Sequence, residues 1–502
     1  MARPDHWQQR DIDFRVRRRD RYSVELKFRH LLDSDRKSYP RRRTTRIRVV
    51  FFLPYSFNIR QETFEPERLY DDVKLYVRFN TPELGIDELL DPESLDSPLM
   101  RISRMLEQPA EVDAERLKYE AKLLGAIVKS VLRDSVVDEV VSRTTVQQPD
   151  LDRFVEIVIR IDQGLSRYRG ALESGDLPPQ ARRHLLLVDE HVSLTIENYL
   201  IRLLTHKAVR DADLSLGPVR EAVVAQQAYR RDRGYPSVVH PDSTSAKREE
   251  YIYRYKMLKH YVSSVLFFEI HRGNQGRRVE HMLYAIAAGF AMAIATGISF
   301  LGQIRFGTLS TTLFLVLVAG YMIKDRMKDA FRLAFQRTLG RLFFDRRTKF
   351  KDQHTHKAMG LVKERAVFAR QNRLDASLLE ARARGGFESA IMETSPETTL
   401  EYTKLLHIYE RRLHRVHRRI TGLADINIMD LKNLLRYLVR QQEHVPTIDD
   451  GELELEETRR IYHLNMLISA NTGEGENWHK VRLVVDAGGI RRIEQPTEET
   501  SD

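Results

Sequence analysis

Three clusters in this chain hold side chains whose types and spacing could do chemistry. His407, His414 and His417 stand close together with Glu410 between them, and His354 and His356 lie upstream. Imidazole suits zinc, and a His-x-x-His spacing can set two ligands on one helical face. Arg411, Arg412, Arg415, Arg418 and Arg419 crowd the same segment, however, and a cation gains nothing from that company. A solvated basic stretch is the better account. Asp189-Glu190-His191 with Glu197 offers carboxylates and an imidazole, but di-metal bundles need Glu-x-x-His on paired helices, and this segment contains no such spacing. A salt-bridged inner face is expected there. Asp425, Asn427 and Asp430 have the acidic spacing that opens a calcium loop, without the glycine at its sixth position or an oxygen ligand at its fifth. Asp425 reads more simply as the cap of a following helix.

The recognised catalytic patterns are missing. There is no phosphate-cradling or dinucleotide-binding glycine turn, no Gly-x-Ser-x-Gly elbow, no kinase signature and no zinc-protease His pair. The chain has no cysteine, which excludes disulfides, Cys-ligated zinc or iron–sulfur and a thiol nucleophile. No catalytic, cofactor-binding or metal-ligating residue is assigned, and no cofactor is implied.

The elements that would position any site fall into distinct stretches. Residues 22–30, 45–57 and 73–79 alternate or are rich in branched and aromatic side chains, so 1–82 reads as a basic, antiparallel β-rich domain. From residue 86 the period becomes helical: 111–142, 150–169, 178–204 and 214–232 carry apolar stripes, giving a helical bundle over 83–232. Residues 233–281 read as a linker and a juxtamembrane helix. The last third, 350–497, reads as α+β. It has an amphipathic helix at 426–440 (Ile428, Leu431, Leu434, Leu435, Leu438) and a β-meander at 460–470, 480–486 and 490–495. Residues 498–502 form a tail.

Two apolar stretches, 282–301 and 306–323, interrupt this polar chain. Neither contains an Asp, Glu, Lys, Arg or His, and each approaches the ~17–25 residues a helix needs to cross a bilayer. The four residues between them can only return the chain beside itself, so a two-helix transmembrane hairpin is expected. Residues 247–281 hold eight basic and four acidic residues, and 324–351 hold ten basic and three acidic. Bases stay on the cytoplasmic side, so both flanks and both termini are expected there. The helix at 324–349 would then be a basic juxtamembrane helix. The first thirty residues show no apolar export signal.

Small residues recur every fourth position on the first apolar helix as Ala285, Gly289, Ala293 and Gly297, and again as Ala287, Ala291, Ala295 and Ser299. Such rows let helix backbones approach closely in lipid. One row would meet the second helix, and the other would be left for a second copy, making a homo-oligomer.

The net charge is +10, and it is local. Residues 1–60 hold 17 Lys and Arg against 7 Asp and Glu, while the rest of the chain balances. Arg17, Arg18, Arg19, Arg41, Arg42 and Arg43 are the candidates for contact with anionic lipid headgroups, which attract juxtamembrane bases. No nucleic-acid-binding signature accompanies them. The reading is an α+β membrane protein with a bacterial inner-membrane location, since Arg exceeds Lys as in GC-rich genomes. Its expected role is a cytoplasmic scaffold or regulatory protein that holds a protein partner at the membrane. A tethered enzyme of unrecognised type is the alternative, and an oligomeric transport component the third.

Overall fold

The computed structural model describes the chain except residues 1–5, 10–11, 33–41, 61, 66–67, 137–145, 175, 213, 241, 274, 308–309, 340–343, 370–373, 384–396, 417–418, 450–451, 472, 474–476 and 496–502. Its described β-structure is antiparallel and forms two large sheets that pack face to face and a separate two-stranded ribbon. The first, of five strands, runs β1 (His6–Gln9), β2 (Ile12–Arg18), β3 (Ser23–Leu31), β10 (Gly422–Asp430), β5 (Val73–Phe79). The second, of eight, runs β15 (Gly489–Glu494), β14 (His479–Asp486), β13 (Tyr462–Asn471), β4 (Arg43–Pro54), β9 (Glu397–Ile408), β8 (Ala358–Ala369), β7 (Arg346–Lys351), β6 (Glu269–Gly273). Strands from the two ends of the chain lie side by side in both: β10 pairs with β3 and β5, and β4 with β9 and β13.

Alternation sets which residues fill the space between the sheets. Phe14, Phe28, Ile47, Val49, Tyr402, Leu464 and Val485 all point there and form one core. β4 is buried on both faces through Val49–Leu53, because Val50 and Phe52 on its other side meet Leu378 and Ala381 of the helix Ala376–Ala383.

The helical bundle comprises α1 (Ala114–Val136), α2 (Gln148–Gly164), α3 (Pro179–Thr205), α4 (Gly217–Asp232) and α5 (Ser245–Ser263). It shares a second core with Leu75, Val77 and Phe79 of β5 and with Phe350 and Val362 of β7 and β8.

Two expectations are corrected here. Residues 426–440 are not a helix: Ile428 lies in β10, and Leu431, Leu434, Leu435 and Leu438 enter the sandwich core from an irregular segment. The three- and four-residue spacing was real, but β10 supplies the ladder partners that both β3 and β5 need, and that pairing outweighs local periodicity. The approach to the apolar helices is also not one continuous helix. α5 ends at Ser263, and Phe267 bridges to Arg78 before β6 begins.

The apolar stretches form α6 (Gln275–Phe306) and α7 (Thr311–Leu339), an antiparallel helix pair inserted between β6 and β7. Those two strands are neighbours, with Gly273 opposite Arg347, so both feet of the pair rise from one edge of the eight-stranded sheet. Among the described residues, one helix, over Tyr284–Phe306, is long and apolar enough to cross a membrane. The expected two-helix transmembrane hairpin is therefore not confirmed. α7 is uncharged over its first 13 residues, Thr311–Ile323, or ~20 Å at 1.5 Å per residue, against a hydrocarbon core of ~30 Å. Gly320 lies against Ile298, and Phe331 against Phe290. Lys324, Asp325 and Arg326 thus fall beside the middle of the apolar span of α6, and the length uncharged on both helices lies between them and Arg305 at the far end of α6.

Candidate functional site

The outer face of the five-stranded sheet concentrates charge. Register places Arg29 of β3, Ala424 of β10 and Arg78 of β5 in one row with Asp13 of β2; Lys27, Ile426 and Tyr76 in the next with Arg15; and Glu25, Ile428 and Lys74 in a third with Arg17. Residues opposite one another share a face. Six cations therefore stand on a surface carrying two carboxylates, and both carboxylates are engaged: Glu25 with Arg17 at 2.9 Å and Asp13 with Arg29 at 3.8 Å. The side chains of the central strand beneath, Ala424 and Ile428, are buried, which is what long basic stems do when they lie across apolar surface.

Lys129 and Arg133 of α1 and Lys259 of α5 extend this field at the β5 edge. Burial, then Arg78 and Arg29, pushes the Lys27 amine down to about 8. Burial, then Lys259, Arg78 and Arg133, does the same to Lys129. Arg78 is shifted down by burial and by Arg133 and Arg29. Repulsion of this kind opposes the charged form.

These lysines bind protons less readily in the folded chain than their unfolded value of 10.5, so the fold is penalised at neutral pH and relieved as pH rises through 8 toward 10.5. The chain should therefore melt at a higher temperature at pH 9 than at pH 7. Lys27→Met together with Lys129→Met should remove most of that gain, the rest staying with Lys122, which burial also pushes down to about 8. An unchanged or lower melting point at pH 9 would count against the cationic field.

The residues singled out on the sequence scatter. Arg17 and Arg19 are exposed at the end of β2, and Arg18 donates to the Arg491 and Asp20 carbonyls, both at 3.1 Å. Arg42 meets the His407 imidazole at 2.5 Å. Arg43 donates to the Leu31 carbonyl at 2.5 Å and pairs with Glu410 at 3.5 Å. Arg41 lies outside the described residues. On α6, Ala287 and Ala291 are the buried small residues. Ala285, Gly289 and Ala293 are exposed, and a methyl group added at Gly289 or Gly297 would meet nothing within 4 Å. The row Ala285, Gly289, Ala293, Gly297 thus faces away from α7.

The clusters suspected of chemistry resolve into closed networks. Asp189 accepts from Arg169 at 3.0 Å, Tyr229 at 2.6 Å and Tyr235 at 2.8 Å. Glu190 holds Arg254 through two bonds, and Glu197 holds Gln227 at 2.6 Å and the buried Arg230. His191 is buried beside Lys129 and Lys259, and burial pushes it down to about 3. His407 is held down to about 4 by burial and Arg42, and His354 stacks on Tyr119. His417 is outside the described residues. Among the described residues, no group of three or more His, Asp or Glu side chains is arranged to hold a metal ion.

Asp425 is not a helix cap. It lies in β10, fully buried between the sheets, 2.6 Å from the Lys404 amine, which also donates to Asn427 at 2.8 Å. Tyr402 donates to Glu364 at 2.6 Å in the same layer, and Arg346 lies 3.7 Å from that carboxylate.

Reading the outward positions of β2, β3 and β5, rather than consecutive arginines, would have found the cationic face in the sequence. No protein-family model, curated protein or solved structure matches this chain.

Proposed function

We propose that this chain is a membrane-anchored scaffold or regulatory protein whose folded body holds a protein partner at the cytoplasmic face of a bacterial inner membrane. The observation that carries the reading is the helix pair α6–α7. Met282, Phe290, Phe300, Leu301 and Ile304 on one helix, with Phe314, Leu315, Tyr321 and Met322 on the other, are exposed. Water does not favour that much contiguous apolar surface, and a bilayer does. The pair is rooted in two hydrogen-bonded strands rather than in a linker, so what docks on the body is held at a fixed distance from the lipid. The tip would insert with Arg305 at its far end, while Lys324 and Arg326 reach toward headgroups. The closed networks around Asp189 and Lys404 suit a framework better than a reaction centre.

Because Gly273 and Arg347 are already opposed, residues 275–343 can be exchanged for a four-residue Gly/Ser linker without disturbing the sheet. The full chain should stay with membranes through an alkaline carbonate wash, and the shortened chain should be soluble with unchanged strand content. Extraction of the full chain by carbonate would overturn the anchor. Affinity purification of the full chain from its native cells in mild detergent then tests the scaffold: a stoichiometric partner retained through high salt supports it, and recovery of the chain alone overturns it.

A further inference from the structure

We propose that residues 442–459 form an arm whose acidic side docks on the cationic sheet face of a second copy of this chain. The inference stands apart from the membrane reading, since it needs neither a bilayer nor the helix pair.

The arm is a two-stranded antiparallel ribbon, β11 (Gln442–Asp449) and β12 (Glu452–Arg459), and these strands belong to neither large sheet. Glu443, Glu454 and Glu456 are exposed. An isolated ribbon of this size is marginal in water, so the structure leaves it in want of a surface.

Its two sides differ sharply. Register sets Val445 opposite Glu456, Thr447 opposite Glu454 and Asp449 opposite Glu452, while Pro446 meets Leu455 and Ile448 meets Leu453. Since residues opposite one another share a side, Glu443, Glu454 and Glu456 fall on one side, with Glu443 3.8 Å from Arg460. Pro446, Ile448, Leu453 and Leu455 fall on the other. One molecule therefore carries a ribbon with an acidic side and a six-cation sheet face.

Eight residues of strand extend ~27 Å, long enough to cross the five-stranded sheet, which is ~19 Å over its four strand spacings. Lys27 on β3 and Arg78 on the edge strand β5 have no ion-pair partner among the described residues, and Lys27 lies in the field of Arg78. An incoming carboxylate would relieve both. The arm does not lie on its own sheet face here, so the complement comes from another copy. Complementary potentials of this kind also fix orientation and speed encounter.

The test uses the full chain in mild detergent. Light scattering across a concentration series should show self-association that weakens at high salt. Glu454→Lys with Glu456→Lys should weaken it at least about tenfold, the scale of one lost charge contact. Both residues are exposed, so folding is not at risk. Adding Lys27→Glu and Arg78→Glu to that variant should restore association. Leu453→Ser with Leu455→Ser should leave it unchanged. A photoreactive residue at position 447 should crosslink to peptides containing Lys27 or Arg78, and mixing isotopically heavy and light chains should show the link to be between copies.

Association that survives the Glu454 and Glu456 reversal, or is lost with the leucines alone, would overturn the proposal. So would crosslinks confined to one copy. A chain that stays monomeric but binds phosphatidylglycerol vesicles through Lys27 and Arg78 would assign the face to lipid instead.

Discussion

Replacing Lys404 with Met should destabilise the full chain by about 3–5 kcal/mol, the scale seen when one partner of a buried ion pair is removed. The reason is geometric. Lys404 and Asp425 are both fully buried, one on β9 and one on β10, with 2.6 Å between amine and carboxylate. Without the amine, the Asp425 carboxylate keeps only the Asn427 amide near it, at 3.4 Å, and water cannot reach it. Asp425→Leu alone should cost a similar amount by stranding the lysine. The double change, Lys404→Met with Asp425→Leu, should be close to neutral, because two apolar side chains of similar volume need no partner. A double-mutant cycle by denaturant unfolding in mild detergent would read this directly. Single variants costing under ~1 kcal/mol, or a double variant as damaged as the sum of the singles, would show that the charges do not depend on one another.

That pair also shows why parts of this fold were legible and others were not. The strand at 73–79, the meander at 460–495 and the long helix from residue 178 were readable because their own periodicity matches their burial. β10 was not, since its partners β3 and β5 lie more than 340 residues away in the chain and only tertiary pairing makes it a strand. The arm went unread even though Asp450-Gly451 is a strong hairpin turn signal and Leu453 and Leu455 alternate with glutamates. Apolar spacing upstream drew the reading toward a helix. The charge excess was visible in residues 1–60, but runs of arginine were the wrong guide. Arg42 and Arg43 turn inward to His407, Leu31 and Glu410, while the cationic face is built from every second residue of three strands.

The two ends of the chain interleave, and that bears on how the helix pair is held. β6 and β7 pair with each other at the edge of a sheet whose centre, β4 and β9, joins the N-terminal and C-terminal stretches. Phe267, just before β6, reaches the other sheet through Arg78 and packs edge-on against Tyr76. The feet of the pair are thus tied to both sheets, and Arg78 belongs to the cationic face. Occupation of that face and the position of the helix pair share a strand, which couples them through packed structure rather than through a flexible link.

Acid should unfold this chain well before its carboxylates are exhausted. His30 sits between the sheets, pushed down to about 3 by burial and then by Lys404 and Arg43. His191, in the bundle, is pushed down equally by burial, Lys129 and Lys259. Both are buried at 1–2% exposure and neutral in the fold, while the unfolded chain protonates them near 6.5. Between those two values the unfolded state binds more protons, so stability falls as pH falls, by about 1.4 kcal/mol per unit for each histidine. At pH 5 the two together should cost about 4 kcal/mol, a large share of the stability of a typical fold. His407, held down to about 4 by burial and Arg42, acts in the same direction. Asp162, Asp345 and Glu397 are shifted up by burial and act in the opposite one, which partly offsets the loss at lower pH. The window from pH 6.5 to 5 therefore reads the histidines most cleanly. Denaturant midpoints across it should drop steeply for the native chain. They should drop about two-thirds as steeply for His191→Leu, where the neutral side chain has no proton to gain. A profile that stays flat to pH 5, or an unaltered slope in the variant, would mean that neither imidazole is shielded as its surroundings require.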